Sequence, residues 1–362
     1  MTLWVSELAM NQVRMGLIGA GIMGTYGHFP GYLEIPDKAK VVAVCDKNPK
    51  AVSNLVNKSG AKGYSDYEEM VRDPEIDAVD ICLPHNLHAP VALAALRAGK
   101  HVIVEKPFSI NLAEADEVIN TAKDKGLKLM TAENMRFVKA YDVAKRLVDE
   151  GEIGDICYVR GYTGGPNEEP TDPSNWKIKA AQAGGGTMMD DGIHIFYLVR
   201  WLVGEVKSVY ATTTKFRKSE ISDVEDNAVG TLKFANGALG IFAFSTTNAS
   251  PWTEEFQLYG TKGSISVDFL ASNPLKVFST VRRSSDPSKW WGHYGNVSWD
   301  FPFIEHSTME WVTGSMRREV QHFVNCILED KQPLVTGEDG KRAVELCLKA
   351  YESARTGKEV SV

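Results

Sequence analysis

Three residues of this chain, Lys106, Asp190 and His194, have side chains that can stabilise a charge or move a proton. Lys106 follows a β-branched segment, residues 101–104, which is typical of a short buried strand. Pro107 has no N–H and a fixed φ, so the chain leaves the sheet there and Lys106 lies at the carboxyl end of the strand. Ligands bind at that end in open parallel sheets. Lys106 is therefore a candidate for binding and chemistry; the alternative is a solvated surface lysine.

His194 is the best suited of the three to accept a proton near neutral pH. If the apolar segment 194–202 begins a helix, Asp190 lies on the same face as the imidazole, where it can fix the tautomer and stabilise the protonated ring. One alternative is a histidine that only satisfies hydrogen bonds at the start of a helix. The other is a metal ligand. A metal site needs three or four clustered ligands. His85 and His88 could be offered as the others, but they belong to a different, proline-bounded segment, and we predict no metal site.

A glycine-rich segment directly follows an apolar strand candidate, residues 13–18. It is Gly19-Ala20-Gly21-Ile22-Met23-Gly24, a GxGxxG pattern between a strand and a helix. Gly19 permits the tight turn, Gly21 lets the backbone approach a pyrophosphate, and Gly24 lets the helix pack closely on the strand. The N–H groups at the helix start, those of Ile22 and Met23 among them, can bind phosphate. The segment predicts a dinucleotide-binding site.

The next strand candidate, residues 40–45, ends at Asp46, about the expected distance beyond the glycines. A carboxylate at this position accepts hydrogen bonds from the ribose diol and repels a 2′-phosphate, so we predict NAD in preference to NADP. Lys47 follows directly and weakens that preference. The alternative is a solvated aspartate at a strand end.

Strand and helix candidates alternate up to residue 135, which predicts a doubly wound parallel sheet and an α/β Rossmann domain over residues 1–135. After Arg136 one helix is followed by consecutive strand-like segments, which indicate a mostly antiparallel sheet. Asn236-Gly237, between two of these segments, is a strong hairpin signal. Two helices end the chain, and we assign residues 136–362 to a second domain of the α+β class.

The composition is that of an ordinary globular protein, with 362 residues, 43% hydrophobic and 24% charged, and a net charge of −7. This charge disfavours binding to nucleic acid or to an anionic membrane surface. No apolar segment is long enough to span a bilayer, and residues 1–14 lack the basic start of a signal peptide, so we expect a cytoplasmic protein. The scattered cysteines are expected to be reduced core residues.

These motifs resemble the Gfo/Idh/MocA oxidoreductases, the glucose–fructose oxidoreductase and inositol dehydrogenase family, over nearly the whole chain. Besides the glycine-rich segment, the resemblance rests on Leu83-Pro84-His85-Asn86-Leu87-His88, Ala98-Gly99-Lys100-His101-Val102, Glu105-Lys106-Pro107, Glu133-Asn134-Met135-Arg136-Phe137, Gly184-Gly185-Gly186 with Asp190-Asp191-Gly192-Ile193-His194, and Tyr259-Gly260-Thr261-Lys262-Gly263. It implies a Rossmann domain followed by an α+β domain with a large open, mostly antiparallel sheet. It also implies a homo-oligomer, a dimer, tetramer or larger assembly, formed through that sheet.

The resemblance also implies roles for particular residues. Lys106 would contact the nicotinamide ribose and the reacting hydroxyl, and Asp190 and His194 would complete the catalytic set. Residues at the strand ends and in the following turns would contact the cofactor: Leu83, Pro84, Asn86, His88, Glu105 and Asn134. Asn134 would also contact the substrate, and Trp176 would form one wall of the pocket. Many relatives have an aspartate three residues after the histidine, where this chain has Tyr197, so a sugar contact is lost or altered.

The expected reaction is oxidation of a secondary ring hydroxyl of a sugar, glycoside or cyclic polyol, with the hydride passing to nicotinamide C4. Aromatic residues of the second domain favour a sugar or glycoside, because aromatic faces stack on sugar rings. The segment 284–299 is expected to form a loop that closes over a glycoside. The expected position of oxidation is C3 of a glucose unit. The same aromatic residues could instead belong to the core or to a subunit interface. Three alternatives stay open: inositol dehydrogenation, redox-assisted glycoside hydrolysis with tightly bound NAD, and a non-catalytic NAD-binding regulator.

Overall fold

The computed structural model describes residues 12–166, 171–217, 219–268, 271, 274–280, 297–298 and 308–362. The described strands form two sheets, one in each half of the chain. The segment 284–299, predicted to cover a glycoside, lies outside the described residues except for residues 297–298, and so does most of the N-terminal segment 1–14.

The first sheet is parallel and confirms the predicted doubly wound arrangement. Its strands are β1 Val13–Ile18, β2 Ala39–Cys45, β3 Lys62–Tyr64, β4 Ala78–Ile81, β5 His101–Glu105 and β6 Leu129–Ala132. The strand order β3-β2-β1-β4-β5-β6 reverses between β1 and β4. A crevice opens at such a reversal beyond the carboxyl ends of the strands, and this is where ligands bind in open α/β sheets.

Three helices of this half begin after a residue whose side chain accepts a backbone hydrogen bond: Asn48, Asp66 and Asn111. A π turn, Met23–His28, continues into α1 Phe29–Leu33, followed by α2 Pro49–Ser59, α3 Tyr67–Val71, α4 His85–Arg97 and α5 Leu112–Asp124. Asn111 caps α5 as predicted, because its side chain accepts a hydrogen bond from Glu114 N. Gly99, just past the end of α4, has a φ of 80°, the left-handed conformation that glycine adopts without strain.

The second half is built on a large open sheet of nine strands within the described residues. Before its later strands come a 3₁₀ turn Asn134–Phe137, α6 Lys139–Asp149, β7 Ile156–Gly164, a 3₁₀ turn Trp176–Ile178, α7 Ala180–Ala183, α8 Thr187–Asp190 and α9 Gly192–Leu202. The later strands are β8 Val206–Thr214, β9 Asn227–Phe234, β10 Leu239–Ser245, β11 Thr253–Gly260, β12 Gly263–Asp268, β13 Leu275–Ser279, β14 Val297–Ser298 and β15 Val360–Ser361.

Neighbouring strands of this sheet run antiparallel except β7 and β10, which are parallel. This confirms the mostly antiparallel prediction, and Asn236-Gly237 forms the turn between β9 and β10. One face packs on α9, where Phe196 meets the rings of Phe242 and Phe244 edge-on. The other face exposes apolar side chains, among them Val229, Leu239 and Ile241. Oligomer formation through this face stays a prediction.

Two C-terminal helices, α10 Thr308–Leu328 and α11 Gly337–Thr356, return to the first sheet. Gly31 in α1 lies so close to α10 that a Cβ at this position would overlap Val320. Thr131 N, in β6, donates to Val335 O at 3.1 Å just before α11 begins. Helix α10 and the segment before α11 therefore pack on the Rossmann half, whereas β15 pairs with β8 in the second sheet. The division at residues 135 and 136 stays a prediction.

The cysteine prediction is corrected at one position. Cys45, Cys326 and Cys347 are buried and free, as expected for reduced core residues, whereas Cys157 is exposed on β7. Cys157 lies where the pairing of β7 with β11 is irregular, since Tyr259 pairs with Tyr158 and Gly260 with Ile156, so it does not share the burial of Val159. Among the helices in the described parts of the chain, none has the length and apolar character needed to cross a membrane.

Candidate active site

Lys106 lies immediately after β5, and its ammonium group is bound by α8 of the second half. Its Nζ lies 3.0 Å from Asp190 Oδ1 and donates to Asp190 O at 2.7 Å. The side chain is 15% exposed. Burial alone would lower the pKa of Lys106, but the carboxylates of Asp190, Glu105 and Asp191 outweigh it and raise the pKa above its usual value. Lys106 is therefore a permanent cation at the carboxyl edge of the Rossmann sheet.

Asp190 has a second cationic partner that the sequence analysis missed. Lys177 Nζ lies 2.7 Å from Asp190 Oδ2, and the lysine side chain is 54% exposed. The two lysines outweigh the effect of burial and hold the pKa of Asp190 well below its usual value. His85 Nε2 lies 3.6 Å from the same carboxylate, and its ring packs edge-on against Trp176 with centroids 4.6 Å apart. Trp176 therefore contacts Asp190 only indirectly, through His85, and its role as a pocket wall stays a prediction.

The predicted pairing of Asp190 with His194 is wrong. The two residues belong to separate helices, α8 and α9, and His194 Nδ1 donates to Glu133 Oε1 at 2.6 Å. Glu133 directly follows β6, at the same sheet edge as Lys106. Burial would lower the pKa of His194, but the Glu133 carboxylate outweighs it and the pKa is raised. Because Nδ1 carries the proton shared with Glu133, Nε2 is the nitrogen able to accept another.

The glycine-rich segment forms a cradle that fits a dinucleotide. Gly19 has a φ of 103°, and a Cβ there would overlap Cys82 O; a Cβ on Gly24 would overlap Gly19 O. Gly21 is exposed and has no atom near the place of a Cβ, so a phosphate can approach its backbone. Ile22 and Met23 follow at the start of the helix. The segment therefore leaves room for the pyrophosphate of a dinucleotide at a helix N-terminus.

Asp46 lies at the carboxyl end of β2, beside this cradle. Its Oδ2 accepts a hydrogen bond from Ala20 N at 2.8 Å and its Oδ1 accepts one from Asn48 N at 2.8 Å. Lys47 is exposed to solvent. The carboxylate is thus fixed by backbone donors where the adenosine ribose of the cofactor would lie.

The turn after β4 brings further predicted residues to the crevice. Leu83 and Pro84 connect β4 to α4 and are partly exposed. Asn86, in the first turn of α4, has a buried Oδ1 with no hydrogen-bond partner among the described residues. An orphaned buried acceptor at the mouth of a nucleotide crevice fits a cofactor donor. Asn134 is buried, and its Nδ2 donates to Ser315 Oγ of α10 at 3.1 Å.

Two predicted cofactor contacts are corrected by the structure. His88 is fully buried, and its ring nitrogens lie 2.7 Å from Pro107 O and 2.8 Å from Leu83 O, so the ring braces the strand ends instead of facing a ligand. Glu105 points into the protein interior, where it binds His28 Nε2 at 3.1 Å and accepts from Lys106 N at 3.0 Å. Both side chains support Lys106 from behind.

Behind Glu105 lies a buried polar network that sequence reasoning did not find. His28 Nδ1 donates to Asp80 at 2.9 Å, and Tyr32 donates to the same carboxylate at 2.8 Å. Cys82 Sγ lies 3.5 Å from His28 Nδ1, so His28, Asp80 and Cys82 are a group among the described residues with metal-ligating atoms close together. Hydrogen bonds account for the contacts of His28 with both carboxylates. Burial would lower the pKa of His28, but the Asp80 carboxylate, helped by Cys82, outweighs it and raises the pKa well above its usual value.

Glu319 of α10 completes this network as an acid without a hydrogen-bond partner. It is fully buried, neither carboxyl oxygen has a hydrogen-bond partner among the described residues, and its Oε1 is 3.6 Å from His28 Nε2. Burial raises the pKa of Glu319 well above its usual value. The folded protein therefore holds a proton on this side chain that the unfolded chain releases above a pKa of about 4.5.

Glu319→Gln is expected to stabilise the protein at alkaline pH. A raised carboxyl pKa contributes stability that is complete below the unfolded pKa and is lost as the pH rises through the folded pKa. A neutral amide has no such loss, so we expect the free energy of unfolding to rise by on the order of 1 kcal/mol near pH 8, and the gain to vanish near pH 4.5. Urea unfolding at both pH values measures this. Glu329→Gln, at the exposed end of α10, is the control; destabilisation of Glu319→Gln near pH 8 would contradict the assignment.

A cavity of about 360 Å³ extends from Asp190 and Asp191 into the second half. Its other walls come from the segment before α7, the start of α8 and the turn between β8 and β9: Asn175, Lys177, Ile178, Gly186, Thr187, Lys215, Arg217, Ser219, Ser222, Val224, Glu225, Asp226 and Thr246. Its size falls within the range of about 300–1,000 Å³ that is usual for small-molecule sites. Most of the residues that line it have polar or charged side chains, which can form hydrogen bonds with a ligand that carries hydroxyl groups.

A Rossmann sheet with this glycine cradle and a fixed ribose-side carboxylate defines an NAD-binding oxidoreductase. Two family models match the chain: an oxidoreductase family with an NAD-binding Rossmann fold over residues 13–133, and the GFO/IDH/MocA C-terminal domain over residues 141–266. The chain belongs to the Gfo/Idh/MocA oxidoreductase family, which confirms the resemblance found in the sequence.

Characterised relatives and solved structures resemble the chain over most of its length. It is 31% identical to levoglucosan dehydrogenase of Pseudarthrobacter phenanthrenivorans over 74% of this chain and 76% of that protein. It is 29% identical to myo-inositol 2-dehydrogenase of Thermotoga maritima over 97% of this chain and 98% of that protein. A structure of levoglucosan dehydrogenase in complex with NADH and levoglucosan superposes with a TM-score of 0.86 at 28% identity, covering 97% of this chain and 99% of that one.

Proposed function

We propose that this protein oxidises a secondary ring hydroxyl of a sugar or glycoside to a ketone, with NAD as the hydride acceptor. The observation that carries the proposal is the joint placement of Lys106 and His194 at one sheet edge. Asp190 holds Lys106 as a cation, and Glu133 leaves His194 Nε2 able to accept a proton. Oxidation of an alcohol needs both groups, because one removes the hydroxyl proton and the other stabilises the alkoxide that forms.

In the proposed reaction His194 Nε2 takes the hydroxyl proton, and Glu133 stabilises the resulting imidazolium through Nδ1. Lys106 Nζ donates to the substrate oxygen as negative charge develops there. Asp190 keeps the lysine in place, and its second oxygen is held by Lys177. When bound, NAD supplies the electrophilic nicotinamide carbon that accepts the hydride. The residues that would hold it are the glycines 19, 21 and 24, Asp46 and Asn86.

Three observations support a sugar or glycoside as the substrate. The cavity beyond Asp190 offers space beside the carboxylate that holds Lys106, and most of its lining residues can form hydrogen bonds. Trp176, fixed beside His85, presents an aromatic surface of the kind that packs on sugar rings. Levoglucosan dehydrogenase is similar both in sequence and in structure. Within this class, C3 of a glucose unit is the position we propose for oxidation.

Inositol oxidation is the second candidate. The likeness to myo-inositol 2-dehydrogenase extends over 97% of this chain, farther than the likeness in sequence to levoglucosan dehydrogenase. An inositol presents the same secondary ring hydroxyls, so Lys106 and His194 would act on it in the same way. The cavity beyond Asp190 would then be only partly filled.

A cofactor-reduction assay tests the proposal and separates the candidates. Purified protein is given NAD or NADP with levoglucosan, free hexoses, alkyl and aryl glucosides, or inositols, and the absorbance of the reduced nicotinamide is followed. We expect activity with NAD and a sugar or glucoside, and the product identified by NMR as the 3-keto compound. Activity with inositols alone would select the second candidate. Absence of reduction with every alcohol, together with release of an aglycone without added NAD, would contradict the proposed dehydrogenase.

A further inference from the structure

Strand β11 carries an acidic residue at one of the alternating buried positions that are otherwise apolar. Glu254, Phe256 and Leu258 are the inward residues of alternate positions, and all three are buried. Glu254 is only 3% exposed. An ionisable group in an otherwise apolar row costs stability, and such local exceptions are found mainly at functional sites.

Glu254 has polar neighbours that also lack partners. Thr163 of β7 lies directly opposite Glu254 in the register of the two strands. Tyr141 of α6 packs edge-on against Phe256, two residues along the same strand, with centroids 6.1 Å apart. Among the described residues, Glu254 Oε1, Tyr141 Oη and Thr163 Oγ1 have no hydrogen-bond partner. These three buried polar groups lie around the same part of the sheet, and buried groups of this kind are commonly satisfied by ordered water.

These three side chains lie on the face of the sheet that α9 covers: Ile195, next to His194, packs against Gly161 of β7, and Gly192 packs against Phe244, the β10 partner of Thr163. The charged groups that act on Glu254 come from four segments: His194 in α9, Glu133 after β6, Asp191 between α8 and α9, and Lys106 after β5. Burial raises the pKa of Tyr141, and the charges of Glu254 and of Asp268 in β12 raise it further. Burial, helped by the two neighbouring carboxylates, outweighs His194 and Lys106 and raises the pKa of Glu254 to about 8.

We propose that Glu254 is a positioning residue for the proton transfer to His194, adding a negative charge behind the imidazole when it ionises. This role rests on the proposed function. In the reaction the substrate O–H bond breaks and an N–H bond forms at His194, while the hydride and its electron pair leave with the cofactor. The ionised carboxylate of Glu254 stabilises the imidazolium and so favours this step. Glu254 exchanges its own proton with solvent and does not contact the substrate.

The pH dependence of Glu254→Gln tests the proposal, because glutamine resembles the protonated acid at every pH. We expect turnover to agree within about twofold near pH 6, and the variant to be about three- to tenfold slower near pH 9.5, where only the natural residue is charged. Glu254→Asp keeps an ionisable group and is expected to retain the alkaline rise. Glu255→Gln, the outward neighbour on β11, is the matched control. Parallel pH profiles for the natural protein and Glu254→Gln would overturn the proposal.

A second measurement needs no substrate. Ring NMR signals of ¹⁵N-histidine in the free protein report the titration of His194, and Glu254→Gln is expected to remove the part of that titration that accompanies the ionisation of Glu254 near pH 8. An unchanged His194 titration would overturn the proposal. If the natural protein oxidises no alcohol, the proposed function fails, whereas this NMR comparison still decides whether Glu254 acts on His194.

Discussion

Lys106→Ala is expected to lower the turnover of alcohol oxidation by about 10²–10³-fold, the usual loss when one charge-stabilising donor is removed. The lysine is the partly buried cation at the carboxyl end of β5, and Asp190 holds its ammonium group at that edge of the sheet. The fold is expected to persist, because Asp190 keeps its bond to Lys177. NAD affinity is expected to change little, since the glycine cradle and Asp46 are untouched.

Steady-state kinetics with NAD and the best substrate, together with NAD titration by fluorescence, measures this prediction. Lys62→Ala is the matched control. Lys62 also forms an ion pair with an aspartate, but it is exposed at the start of the edge strand β3. Turnover of Lys106→Ala equal to that of the natural protein would remove the lysine from the mechanism. A loss of NAD affinity without a loss of turnover would assign Lys106 to cofactor binding alone.

His194→Ala is expected to lower turnover by about 10²–10⁴-fold, the range for loss of a general base. In the natural protein the oxidation rate should fall toward acid pH as His194 becomes protonated, with an apparent pKa above 6.5, because Glu133 raises the pKa of the ring. Glu133→Gln removes that carboxylate, so the pKa of His194 falls and the acid limb of the profile moves to lower pH. The reduced basicity also lowers the maximal rate.

Asp190→Asn tests which carboxylate is the partner of His194: Glu133, as in the structure, or Asp190, as the sequence suggested. It weakens the hold on Lys106 and should reduce turnover, but the acid limb set by His194 and Glu133 should stay where it is. Profiles of kcat against pH for the natural protein and the three variants, His194→Ala, Glu133→Gln and Asp190→Asn, measure these expectations. An acid limb that moves in Asp190→Asn but not in Glu133→Gln would restore the original pairing.

The fold was largely predictable from the sequence because its signals are local. The parallel sheet follows from the alternation of strands and helices, and the dinucleotide cradle from three glycines whose spacing matches one turn and one helix start. The hairpin at Asn236-Gly237 and the cap at Asn111 depend on the conformational preferences of a few neighbouring residues. Lys106 could be placed at a strand end for the same reason, since Pro107 stops the strand.

The partners within the site were decided by the tertiary structure. Glu133 and His194 are 61 residues apart, and Lys106 and Asp190 are 84 apart, so their contacts depend on how α8 and α9 dock on the edge of the first sheet. A spacing of four residues suggested Asp190 for His194, but the break between α8 and α9 turns the aspartate toward the two lysines. One signal was present and unused: Glu133, like Lys106, is a charged residue directly after a buried strand.

The sequence by itself determined the two sheets and the location of the crevice, because turn chemistry and hydrophobic periodicity act over a few residues. The class of the protein followed from the resemblance of its motifs to a known family. Only the tertiary structure decided that His88 and Glu105 face inward, and that Glu254 and Glu319 are buried acids. Whether a side chain is buried, and which charge it meets, depends on segments that approach from distant parts of the chain. Burial and charge set the pKa values on which the proposed chemistry rests.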